Sequence, residues 1–514
     1  MNQLIAVTIL TKNSQKYLPA CLGALQAFKE VIILDNGSTD DTVKIAAAFA
    51  NTKIVNSPFI GFGPLKNLAA QHAISPWILS IDSDEVLSEE LAREILQLDL
   101  SNPLLVYSFL RHNYYGTKLI KACGWDNDYV LRLYHKSTTR FTDLPVHEYI
   151  QTDGLITQRL NGTLNHYSFD NISQLLHKMD HYTTLFAKEN RFRKASSPAR
   201  SFFKWSFSFF RNYMLQRGFL YGYEGLAIAF SNANGTFYKY MKLHEENQHL
   251  SISLIVTTYN WKEALAAVLK SAFNQSELPK EIIVADDGSR DDTRMLIEEL
   301  AKISPVPLLH SWQEDRGFRA AESRNRAMAL ATGEYLVIID GDMVLHPDFL
   351  KSHRQAAKKG WFIQGKRVLL NPKTTSAVIA GTKQHIHPLS KGIKNRLNAI
   401  SSGFLAGIFH QEQKNLKGIR SCNMGFWQQD VLHINGFNED FVGWGREDSE
   451  FAVRLHNSGL KRRNLKFGGV AYHLFHNEFS RKSLPENDLI LNTSINEKIV
   501  FCPNGINKHL PASS

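Results

Sequence analysis

One phrase occurs twice in this chain, and in register. The run VIIL closes on DNGSTDDT at residues 35–42, and EIIVA closes on DDGSRDDT at residues 286–293. Upstream, LIAVTILTKN ends in Asn13 and SISLIVTTYN ends in Asn260. Downstream, GFGPLKNLAAQHA from Gly61 corresponds to GFRAAESRNRAMA from Gly317, and each leads into a strand-like run ending in two carboxylates, Asp82 and Asp84 or Asp340 and Asp342. The offsets are 247 at the asparagines, 251 at the acidic turns and 258 at the carboxylate pairs, the slow drift that a duplicated domain with loop insertions produces.

Short apolar, β-branched runs that end in polar residues are the mark of buried parallel strands reaching their loops. Helical stretches, YLPACLGALQAF and EALAAVLKSAF, separate them. The pattern predicts two tandem α/β domains with mostly parallel central sheets. The polar connector HEENQHL places the boundary, giving domains at residues 1–247 and 248–514.

The GSxDDT portion has a local explanation, since a Ser/Thr followed by Asp caps a helix and complements its dipole. Capping accounts for Asp41 and Asp292. It leaves Asp35 and Asp286, at the strand's carboxyl end where open α/β sheets bind ligands. The paired carboxylates are costly to keep charged together without a cation, and Mg²⁺ or Mn²⁺, shared with substrate phosphates, suits oxygen ligands. There is no GxxxxGK[ST] loop and no GxGxxG after a strand, so phosphate must be held by metal and basic side chains.

Together these motifs resemble the inverting family 2 glycosyltransferases, whose GT-A, Rossmann-like fold binds a nucleotide sugar. The resemblance implies a UDP-sugar site made by Thr11, Asn13, Asp35, Lys66 and Asp82 in the first half and by Thr258, Asn260, Asp286, Arg324 and Asp340 in the second. It implies one Mn²⁺ or Mg²⁺ per domain on Asp84 and Asp342. The segment from Arg420, with GWGREDSEFAVRL, is similar to the acceptor side of β-1,4-galactosyltransferases and chondroitin-type polymerases. That similarity nominates Asp448 as base, Glu447 as acceptor-binding partner, Trp444 as a sugar-stacking face and His473 as a further metal ligand, preferred over His476. The first half lacks GWGRED and has PVHEYI and LNHYSF instead. The preserved order makes Glu148 its base and His166 its metal ligand, with His147 read equally well as a core histidine. This half, with FLYGYEGLAIAF, resembles bacterial lipopolysaccharide-core glucosyltransferases, which act on lipid-linked acceptors at the inner face of the cytoplasmic membrane.

The net charge of +10 attracts anionic partners without choosing among them. Between Lys188 and Arg217 basic residues interleave with Phe, Trp and Tyr, a mix that suits a helix lying on anionic lipid or one packed on its own domain. Nucleic acid is not among the partners expected. Four scattered cysteines without CxxC spacing point to a reducing compartment rather than to disulfides or zinc. Four functions stay open: one transfer per domain, a two-site polymerase, one catalytic half beside a binding half, or nucleotidyl transfer on a similar fold, which would release pyrophosphate and no UDP.

Overall fold

A computed structural model describes residues 4–144, 148–383, 385–409, 411–413, 416–477 and 482–511, so His147 lies outside the described residues. The chain divides into two compact units, one formed by Met1–Glu189 with Ser196–His244 and the other by Asn190–Ala195 with Glu245–Ser514.

In the first unit four parallel strands run in the order Thr52–Asn56, Glu30–Asp35, Ile5–Thr11, Trp77–Asp82. In the second the order is repeated by Leu308–Trp312, Glu281–Asp286, Ile252–Thr258 and Tyr335–Asp340. The central strands are apolar at consecutive positions because both faces are covered. Leu254, Ile282 and Val337 pack with Leu265 and Leu269 on one face, and Ile255, Ile283 and Leu336 pack with Ala327 and Met328 on the other. The parallel character ends at the fourth strand. Tyr129–His135 and Asn423–Trp427 join it antiparallel, so each sheet is parallel over these four strands and mixed beyond.

Register brings the polar residues together. Thr11 lies beside Asp35 and Leu10 beside Asp82. Thr258 lies beside Asp286 and Thr257 beside Asp340.

The GSxDDT turns are not capping boxes. Neither Thr42–Ala47 nor Asp291–Ala301 has a side-chain cap. The serine hydroxyls instead accept from the backbone N–H of Asn13 and Asn260, at 2.9 Å each, tying the second strand's loop to the first's. Both asparagines sit in the left-handed region, φ 52° and 47°, which asparagine tolerates.

The basic aromatic segment takes in the last turn of the helix Ile172–Asn190, the helix Pro198–Phe210 and the helical turn Arg211–Leu215. Pro198 starts the second, where its missing N–H costs nothing, and Ser197 caps it. On this helix Trp205 and Phe209 stack at 6.0 Å, Phe209 stacks on Tyr213 at 5.5 Å, and both Trp205 and Phe209 meet Phe230 edge-on. That stripe is internal to the first unit. All four cysteines are buried and free.

Candidate functional site

The two units build the same bridge from different residues. Lys66 and Arg324 each occupy the fifth position of a helix, Phe62–Gln71 and Ala320–Leu330, that starts after the glycine loop. Lys66 Nζ lies 3.2 Å from Asp82 and 3.0 Å from Glu148. The Arg324 guanidinium lies 3.4 Å from Asp340 and 3.2 Å from Glu447.

The next residue on each helix fixes the far side of the bridge. Asn67 accepts from Phe141 N–H and donates to Phe141 C=O, at 3.0 and 2.9 Å. Asn325 does the same with Phe437, at 2.8 Å in both directions. The cation lies over that phenylalanine's ring, 5.1 Å from its centre for Lys66 and 5.4 Å for Arg324. FTD at residues 141–143 and FNE at residues 437–439 are therefore equivalent, a match that the sequence reading missed although its signal, Lys/Arg-Asn answered by Phe-x-Asp/Glu, is present. By this equivalence Glu148 occupies the position of Glu447. The residue after Glu148 is Tyr149, so the first unit has no counterpart of Asp448 in that register.

The second carboxylate of each pair also meets its histidine in the same way. Glu85 pairs with His166 across antiparallel strands, and Met343 pairs with His473. Tyr167 N–H donates to Asp84 C=O at 3.0 Å, and Leu474 N–H to Asp342 C=O at 2.9 Å. His166 Nε2 is 3.5 Å from Asp84, and His473 Nε2 is 3.3 Å from Asp342. In the second unit His476 Nε2 also reaches Asp342 Oδ2, at 3.1 Å. Among the described residues, Asp342, His473 and His476 are the one group of three whose ligand atoms lie within 4.8 Å of one another.

Among the described residues Asp342 Oδ1 is buried with no hydrogen-bond partner, an environment that fits a carboxylate oxygen ligating a cation. Burial presses the His473 imidazole down to about 4, so it is neutral and able to ligate at neutral pH. The Asp-His-His donor set fits a divalent metal, and its two imidazoles suit Mn²⁺ better than Mg²⁺, which keeps to oxygen.

The strand-end aspartates, Asp35 and Asp286, are engaged within the protein. Asp35 accepts from Thr11 Oγ1, Ser38 Oγ and the N–H groups of Gly37 and Ser38 at 2.5–3.0 Å. Burial raises this carboxyl, and the hydrogen bonds, led by Ser38, outweigh it, leaving it below its ordinary value. Asp286, fully buried, accepts from Ser289 N–H at 2.8 Å and pairs with His310 at 2.9 Å. Their neighbours are different. Among the described residues Asn36 Oδ1 is buried without a partner, and burial pushes Asp287 up to about 6 against bonds from Arg319 N–H and Gln313. Neither was singled out from sequence, where the aspartate directly at the strand end drew the assignment.

Electrostatics separate the two sites. Burial raises Asp82, but Arg132 at 2.8 Å and Lys66 outweigh it and hold it far below the carboxylate range. Burial instead wins at Asp340, pushed up to about 6 with Asp342 and Glu447 adding to it and Arg324 opposing. Glu447 and Asp448 open the helix Glu447–Asn457, where the dipole favours negative charge. Even so, burial and then Glu447 push Asp448 up to about 7. Preceding them, Gly443, Gly445 and Arg446 all have positive φ, and Trp444 between them is 38% exposed.

A family model described as glycosyl transferase family 2 matches residues 6–163 and again 253–414, and one described as the N-terminal domain of galactosyltransferase matches residues 409–477. The chain belongs to glycosyl transferase family 2, and its two units are tandem GT-A domains. It is 26% identical over 246 residues to chondroitin synthase of Escherichia coli, a match covering 43% of this chain and 34% of that protein. It is 28% identical over 264 residues to an uncharacterised glycosyltransferase of Rickettsia typhi, covering 47% of this chain and 87% of the relative. With hyaluronan synthase of Pasteurella multocida it shares 27% over 267 residues, covering 46% of this chain and 26% of the synthase. Among solved structures, S. aureus TarS 1-349 superimposes with a TM-score of 0.35 at 16% identity, over 51% of this chain and 68% of that one. The match is too partial to add to the fold described above.

Proposed function

We propose that this chain is a two-site inverting hexosyltransferase, each unit moving one sugar from a UDP-sugar to a lipopolysaccharide core or related surface glycan. The duplicated carboxylate–cation–carboxylate bridge carries the two-site reading, since a binding module would have no need to keep it. In the second unit Asp448 removes the acceptor hydroxyl's proton as the acceptor oxygen bonds to the sugar's anomeric carbon and the bond to the diphosphate breaks. Trp444 offers the acceptor a stacking face, and Arg324 holds Glu447 in place. A cation held by Asp342, His473 and His476 would offset charge on the departing diphosphate. In the first unit Glu148 serves as base, with Asp84 and His166 on the metal side. Asp35 and Asp286 act by holding the nucleotide loops with Thr11, Asn13, Thr258 and Asn260, so that Asn36 and Asp287 read the base or ribose.

Separate Asp84→Ala and Asp342→Ala variants, supplied with both donors and a short acceptor, test this. Each should lose one transfer and keep the other. If either variant retains both, that unit is not a catalyst. The relatives that are chondroitin and hyaluronan synthases favour a second reading, a two-site polymerase, for which the unmodified enzyme would give a product ladder instead of at most two additions.

A membrane-bound acceptor fits the surface of the first unit. Phe203, Phe207, Phe210 and Met214, at helical spacing on the side away from the internal aromatic stripe, are 72, 63, 52 and 49% exposed, and Leu215, Leu220 and Tyr223 further along the chain are exposed as well. So large an apolar face bordered by Lys204, Arg211 and Arg217 suits anionic headgroups at the inner face of a bacterial cytoplasmic membrane. No described helix is long and apolar enough to cross a membrane. Phe203→Ser with Phe207→Ser should abolish co-sedimentation with phosphatidylglycerol vesicles. Unchanged sedimentation, or wild-type protein that ignores these vesicles, rejects the lipid surface.

A further inference from the structure

The equivalence of the two units exposes one position where they differ beside the carboxylate pair. Counting three residues on from the paired histidine gives His476 in the second unit, a member of the Asp-His-His group. The same count gives Phe169 in the first, which cannot ligate a metal. Phe169 stacks on Trp125 at 5.9 Å, and the ammonium of Lys178 lies over its ring, 4.9 Å from the centre. Lys178 comes from the helix Ile172–Asn190, which follows the strand that carries His166.

Charges of the first site act on Lys178. They are those of Asp84, Arg111 and Asp82, the carboxylate pair and a cation of the same cluster. Tyr182, one turn further along the helix, is acted on by Glu148 and Asp82. The helix begins beside the strand ends of the first site: Asp170 pairs with Lys16 at 2.5 Å and accepts from the Tyr17 hydroxyl, and Tyr17 stacks at 4.8 Å on Tyr167, the residue after His166. Among the described residues no carboxylate stands within ion-pair distance of Lys178, whereas Lys66 and Arg132 are both bound to Asp82. Although the residue as a whole is exposed, desolvation at the cluster holds its ammonium below the ordinary lysine range, with Asp84 opposing.

Resting on the reading of the first unit as a nucleotide-sugar site, we infer that Lys178, seated on Phe169, is a binding residue for the donor's diphosphate. It supplies at this site a positive charge where the second site has a metal-binding histidine. An ammonium with no carboxylate bound to it is available to phosphate oxygens, and Lys binds phosphate as a point charge. The aromatic face keeps the ammonium in place without neutralising it, as cation–π contact does.

The test uses the full chain with Asp340→Ala and Asp342→Ala in the second unit, so that binding reports on the first. UDP and uridine are titrated calorimetrically with Lys178 intact, with Lys178→Met and with Lys178→Arg. Methionine keeps the stem and removes the charge at an exposed helical position. The expected result is a loss of at least about tenfold in UDP affinity for Lys178→Met, partial recovery for Lys178→Arg, and uridine affinity unchanged. Equal losses for UDP and uridine would mean that Lys178 only supports the fold, and unchanged UDP affinity would mean that it does not touch the diphosphate. If UDP fails to bind with Lys178 intact, the first unit's donor site falls, and the subsite falls with it.

Discussion

Asp448 is where the proposed chemistry is most exposed to measurement. A base pushed up to about 7 is half protonated at neutral pH. Second-site transfer at limiting acceptor should therefore fall about tenfold per pH unit below that value, the slope of a single titration. Asp448→Asn should reduce transfer roughly 10²- to 10⁴-fold, the usual contribution of a general base, while leaving UDP binding intact. The same shift has a stability consequence of definite sign. With the folded value above the ordinary 3.8, the protonated acid is the form the fold favours. Its contribution is complete below about pH 4 and lost as the pH rises through 7. Asp448→Asn should accordingly raise the melting temperature relative to wild type at pH 8 and bring no such gain at pH 4.

At the scale of elements, the two-direction clamp of Asn325 on Phe437 sets the cation of one helix against the carboxylates of another segment. Asn325→Ala strands two buried backbone groups, so chemical denaturation should show a loss of about 2–4 kcal/mol, and Glu447 should lose its alignment with Arg324. The helix that starts with Glu447 is anchored by a fully buried ion pair. Arg454 bonds Glu450 at 2.7 Å and the carbonyls of Ile434 and Gly436. Glu450→Ala should cost about 3–5 kcal/mol, because it leaves an uncompensated buried charge.

These elements also show what was legible beforehand. Strands such as Ile252–Thr258 and Glu281–Asp286 announce themselves because burial on both faces demands unbroken apolar runs, and their carboxyl ends locate the acidic turns. Lys66, Arg324 and the DxD pairs could be matched because each is fixed by its own short motif. Glu148 could not be aligned on Glu447, since the bridge joins residues from distant segments and its loops differ in length. His476 was passed over for His473 because spacing along the chain does not reveal that both imidazoles converge on one oxygen. The serines of GSxDDT looked like caps because local sequence fits that role, while the observed partners, Asn13 and Asn260, come from another loop.

For the molecule as a whole, metal removal should be read most clearly at the second site, where Asp342, His473 and His476 converge. Treatment with EDTA followed by dialysis should abolish second-site UDP release, and Mn²⁺ should restore it more fully than Mg²⁺, given the two imidazoles. Each of the two transfers should survive silencing of the other unit, as separate cores imply.

The buried cysteines give this arrangement a built-in stopwatch. Cys21 and Cys123 belong to the first unit and Cys422 and Cys502 to the second. Burial pushes the last three thiols up to about 11, 12 and 11, and Cys21 higher still, so in the folded chain none offers a thiolate to an alkylating reagent. Labelling must then await opening of the surrounding core, and its rate at each cysteine clocks that opening. Mass spectrometry of pulse-alkylated protein would time the two units independently in a single tube, with ligand for one site slowing only its own pair.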